Sequence, residues 1–159
     1  MGGRWTLPPG ATYCRGLMET LATKLERIAD RYGVRDVYVF GSRAGEIAGR
    51  LTGGAGALSL SASDLDIAVQ PAAGRDLSAR QRVRLIGELE DLFGVPRVDL
   101  VVLSEAPPVL AVEIVRGELI HTSDGLAQAE QELYVLRRAA DLAPHQSERL
   151  VQILTAGAR

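Results

Sequence analysis

Three short runs of β-branched and aromatic residues stand out: VRDVYVF at 34–40, DLDIAVQ at 64–70 and PRVDLVVL at 96–103. Each has the length of a strand and is bounded by glycine, serine or proline, so each is predicted to lie in a sheet. Around them the periodicity changes. Leu17, Leu21, Leu25, Ile28 and Tyr32 recur at helical spacing ahead of Gly33. Leu85, Leu89 and Leu92, with Ile86 and Phe93 beside them, do the same ahead of Gly94. That is the pattern of amphipathic helices closed by glycine caps. Such helices bury their apolar faces by layering on a sheet. The predicted class is α+β (α/β), a small sheet covered by helices.

The remaining punctuation divides the chain further. Residues 1–16 are rich in glycine and proline and read as a loose N-terminal extension, with Met18 a candidate start where the periodicity begins. The first helix is predicted over about 17–32, and GSRAGEIAGR at 41–50 opens a short helix with Ser42 as its N-cap. The Gly- and Ser-rich stretch 51–63 reads as a loop or a small hairpin around ALSLS. Ser78 and Gln81 have the spacing of a capping box. Ser104, Pro107 and Pro108 open a short apolar helix that runs through Ile114 and Val115 and closes at Gly117. ELIHT at 118–122 adds an edge strand. Residues 125–142 and 144–156 are predicted as two helices broken at Pro144. One domain over 17–142 is expected, with a helix in 143–159 that covers the core or offers a partner interface.

Bulk composition narrows the function classes. A length of 159 residues suits one domain with a core of its own. A net charge of −2 argues against a dedicated nucleic-acid binder but not against a nucleotide ligand, which needs only one local site. Cys14 is the single cysteine, so no internal disulfide forms. With no signal-peptide layout and no apolar run of membrane-spanning length, a cytoplasmic location is expected.

The chemistry is concentrated in two places. Side chains alternate across a strand, so Asp64 and Asp66 point to one face, roughly 6.6 Å apart along the strand. Carboxylates so placed can embrace one cation or flank two. Oxygen-only ligation suits Mg²⁺ or Mn²⁺ rather than zinc. Asp99 is the sole acidic residue of the apolar strand at 96–103, and converges on the pair if the two strands are neighbours. The second place is Gly41-Ser42. Glycine lets the main chain approach a ligand, the following helix start favours an anion, and the Ser42 hydroxyl can donate to a phosphate oxygen. Arg43 is a further candidate for that anion, the alternative being a guanidinium turned to solvent.

Taken together, FGSRA, SDLDIAV and VDLVVL resemble the nucleotidyltransferase signature of the DNA polymerase β-like superfamily: Gly-Ser, then Asp-x-Asp, then a third Asp on a later strand. The short length and the ending EIVRGELIH followed by helices are similar to the minimal nucleotidyltransferase (MNT) family. The resemblance covers about 18–140. It implies an antitoxin partnered with a small helical HEPN-type toxin, which transfers AMP from ATP to a toxin tyrosine. By position, Asp64 and Asp66 would bind two Mg²⁺ ions, and Asp99 would complete the second site and help activate the incoming hydroxyl. Gly41 and Ser42 would hold the β- and γ-phosphates. One departure is the wider separation of Ser42 from Asp64, whose surplus is the insert 51–62; loop length costs little closure entropy, so the site is expected to survive. Two rivals stand beside this reading. One is an aminoglycoside-type small-molecule nucleotidyltransferase completed by a second subunit. The other is a non-catalytic antitoxin that acts by binding alone. His121, His145 and Cys14 read as ordinary residues, and Tyr38 and Tyr134 as packing residues.

Overall fold

A computed structural model describes the backbone of residues 20–52 and 64–156, and the side chains of all these up to Leu142. At its centre, β1 (Val34–Phe40) pairs antiparallel with both β2 (Leu65–Pro71) and β4 (Glu118–Thr122). The last strand, β3 (Val98–Val102), lies parallel to β2 on its far side, giving the order β3-β2-β1-β4. A parallel pair needs a crossover, and α3 (Ala79–Phe93) supplies it. The remaining helices are α1 (Leu21–Tyr32), α2 (Ala44–Leu51), α4 (Pro108–Val115) and α5 (Gly125–Ala156).

The sheet has two covered faces. On one, Val37, Val39, Leu65, Ile67, Val69, Val98 and Val102 pack with Leu25 and Ile28 of α1, Ile47 of α2, and Leu85, Leu89 and Phe93 of α3. On the other, Tyr38 and Ala68 meet Ala111 and Ile114 of α4 and Val135 of α5. Tyr38 is fully buried, and its hydroxyl donates to Glu132 Oε1 at 3.2 Å and accepts from Gln128 Nε2 at 3.1 Å, which ties α5 to the central strand. Burial holds the Tyr38 hydroxyl well above the usual phenol range. The turn between α4 and β4 passes so close to β1 that a Cβ on Gly117 would stand 2.4 Å from the Val39 carbonyl oxygen.

Helix ends follow the local chemistry. Thr20 caps α1 by accepting from the Thr23 N–H at 3.1 Å, and Gly33 closes it with φ 65°. Ser78 and Gln81 form the full capping box at the start of α3, and Gly94 ends it with φ 66°.

Five expectations need correction or fall outside the structure. Ser42 is not a helix cap: residues 41–43 form a 3₁₀ turn, and α2 begins only at Ala44, with no side-chain cap. Ser104 likewise lies in a 3₁₀ turn, Leu103–Glu105, and α4 begins at Pro108. Pro144 does not break the last helix, since α5 is continuous from Gly125 to Ala156; a proline removes one ladder hydrogen bond and leaves the others to carry the helix on. Tyr134 is not a packing residue. It is 56% exposed, because it stands one position, about 100° of helix rotation, from the buried Val135. Leu17, Met18, Cys14 and the stretch 53–63 lie outside the described residues, as does the His145 side chain.

Candidate active site

The parallel pairing of β2 with β3 sets Asp66 directly beside Asp99, with Leu65 beside Val98 and Ile67 beside Leu100. Register partners share a face, so both carboxylates lie on the side of the sheet covered by α4 and α5. Asp64 sits one residue ahead of β2, on the Asp66 side of the alternation. Its neighbour Leu65 donates its N–H to the Arg97 carbonyl at 3.1 Å, which fastens the start of β2 to the residue before β3. Asp64 and Asp99 are 39% and 49% exposed. Asp66 is less open, and its carboxyl is raised above the usual carboxylate range, first by desolvation and then by repulsion from Asp99 and Asp64.

The Gly-Ser turn reaches the same corner from β1. Phe40 is the antiparallel partner of Asp66, so Gly41 follows directly at the carboxylate. A Cβ at Gly41 would stand 2.6 Å from Asp66 Oδ2, and Gly41 has φ 74°. Both facts call for glycine: the left-handed backbone disfavours a side chain, and the carboxylate occupies the space one would need. Ser42 is exposed in the turn that follows. Arg43 does not turn to solvent. Its side chain is 5% exposed, and its Nε donates to Glu46 Oε2 at 3.4 Å.

One charged group at the site escaped the sequence reading. Arg97 Nε lies 3.2 Å from Asp99 Oδ1 and 3.5 Å from Asp64 Oδ2, so the guanidinium stands between the two outer carboxylates. The available signal was its position two residues before Asp99, which places both side chains on one face of an extended chain. Among the described residues, no three acidic, imidazole or thiol groups are already closed around a single point. The donor chemistry nevertheless fits a magnesium-like cation. All the candidate donors are carboxylate oxygens, Asp66 is repelled by the other two, and the intervening guanidinium is 64% exposed.

A family model described as polymerase beta nucleotidyltransferase matches residues 23–125. The chain belongs to that family. The matched span contains Gly41, Ser42, Asp64, Asp66 and Asp99 of this nucleotidyltransferase. Among solved structures, a toxin–antitoxin with AMP-PNP is 23% identical to it over 86% of this chain and 98% of the other, with a TM-score of 0.59. The Shewanella oneidensis complex of a tri-AMPylated HEPN toxin with an MNT antitoxin is 23% identical over 87% and 97%, with a TM-score of 0.55. No curated protein matches the chain significantly. At these identities the likeness establishes the nucleotidyltransferase fold. None of the described helices is long and apolar enough to cross a membrane.

Proposed function

We propose that this nucleotidyltransferase moves AMP from ATP to a hydroxyl of a partner protein, and that the partner is a HEPN-type toxin silenced by the modification. The observation that carries the reading is the in-register pair Asp66 and Asp99, with Asp64 alongside and the Gly41-Ser42 turn packed directly on Asp66. The shared fold with an MNT antitoxin beside an AMPylated toxin supports the choice of acceptor. The described residues build one sheet with its helices, without a second lobe to enclose a small acceptor, which favours an acceptor that brings its own surface.

Asp64, Asp66 and Asp99 would hold divalent cations, Mg²⁺ by preference, whose charge offsets that developing on the transferred phosphoryl group. The chain's own groups do the rest. The Ser42 hydroxyl donates to a β- or γ-phosphate oxygen, and Gly41 keeps the main chain close enough for it to do so. Asp99 accepts the proton of the acceptor hydroxyl as its oxygen bonds to the α-phosphorus. The bond from that phosphorus to the bridging oxygen breaks, and pyrophosphate leaves in line. Positioning supplies most of the advantage.

The test is co-expression with a HEPN-type partner, followed by labelled ATP and Mg²⁺ and mass analysis of the partner. Nucleotide added by the wild type and by no D64N/D66N double variant of unchanged circular dichroism is the expected result. Protection of cells by that double variant, with no modified partner, would replace transfer with neutralisation by binding.

A further inference from the structure

We infer that Arg97 is the resident counter-ion of the aspartate trio: it holds Asp64 and Asp99 together against their repulsion, and a divalent cation must displace it to enter. This rests on the trio being a cation site. A single nitrogen, Nε, serves both carboxylates, at 3.2 Å to Asp99 and 3.5 Å to Asp64. It spans the gap between the strand that carries Asp99 and the residue that leads into β2. The main chain at Arg97 is fixed, since its carbonyl accepts the Leu65 N–H at 3.1 Å. The side chain is not fixed to the same degree, being 64% exposed. It therefore has a firm base and a mobile head.

Arg97 faces the two outer carboxylates of the trio, Asp64 and Asp99, and offsets their mutual repulsion. A divalent ion placed among the three would repel the guanidinium while cancelling the same repulsion more completely. The two cations thus compete for one set of oxygens. Because the arginine is exposed, the competition is mild: an ion pair of this kind is weakened by solvent and is broken at small cost. A buried arginine in the same place would close the site.

Mn²⁺ binding to the full chain without nucleotide, followed by electron paramagnetic resonance of the free ion, tests the idea. R97Q is expected to bind Mn²⁺ roughly three- to tenfold more tightly than wild type. R97K, which keeps the charge, should stay within about twofold of wild type. Mn²⁺ should also raise the melting temperature of R97Q more than that of wild type, and R97A serves as a second neutral variant. If wild type binds Mn²⁺ and D66N abolishes the binding, but R97Q and R97A bind equally or more weakly, the counter-ion role is wrong and the cation site stands. If neither wild type nor R97Q binds Mn²⁺, or if binding survives D66N, the cation site fails and the counter-ion role falls with it.

Discussion

Asp36 and Asp66 lie on the same face of the sheet, near opposite ends of the β1–β2 pair, and are held in opposite ways. Asp36 is fully buried and well supplied. It accepts from Arg35 Nη2 at 2.7 Å and Nε at 2.9 Å, and from the Thr122 hydroxyl at 2.9 Å, which also pins β4 to β1. Among the described residues nothing donates to Asp66, and Asp99 and Asp64 repel its charge. A buried carboxylate with its own donors contributes to folding. A carboxylate repelled by like charge does not, and the proposed cation would offset that repulsion.

The contrast can be broken by substitution, and the largest effect falls on chemistry. D66N should lower nucleotide transfer about a thousandfold while changing stability by no more than about 0.5 kcal/mol. Labelling rates and urea unfolding of one preparation measure both. D36A should do the reverse, costing about 3 kcal/mol of stability because Arg35 is left without its carboxylate. Its transfer rate, taken below the unfolding temperature, should stay within a few-fold of wild type. If D36A and D66N have similar profiles, the two carboxylates do not differ in kind.

G41A is the intermediate case, because it touches both fold and site. The left-handed backbone and the 2.6 Å approach to Asp66 Oδ2 should together cost about 2 kcal/mol. Transfer should fall as Asp66 is pushed aside, and adding D66A, which removes the crowding oxygen, should make the G41A substitution less destabilising than it is beside wild-type Asp66. The smallest effect is in pH. The raised Asp66 carboxyl binds its proton more tightly in the folded chain than in the unfolded one. Its contribution to stability is therefore fully present below the usual aspartate range, about pH 4, and is lost as pH rises through the raised folded value. The difference in unfolding free energy between wild type and D66N should shrink towards acid pH, and a difference that grows there would contradict the assignment.

Much of this was legible in the chain. The strand at 34–40, the glycine caps at Gly33 and Gly94, and the Ser78–Gln81 box are set by local chemistry, and local chemistry decided them. The convergence of Asp99 on Asp66 was conditional on strand adjacency, and the parallel pairing supplies it. The failures have physical reasons. Serine is a common cap, but the left-handed Gly41 sends the chain into a 3₁₀ turn before any helix can start at Ser42. Proline weakens a helix without dictating its end, so the Pro144 signal did not mark a boundary. Beyond its spacing from Asp99, nothing local to Arg97 marks it out in the sequence; only the meeting of β2 with β3 gives it two acidic neighbours.

The side-by-side placement of Asp66 and Asp99 is guarded from the chemically silent side of the sheet. Leu65, Ile67, Val98 and Val102 are all sunk in the opposite core, and a slip of one residue between β2 and β3 would bring the apolar rows of one strand out of it. The oily face thus acts as a proofreader for the acidic one. Alignment errors are rejected by greasy residues on the far face, and a careless repacking of Ile67 would blur the acidic corner from behind.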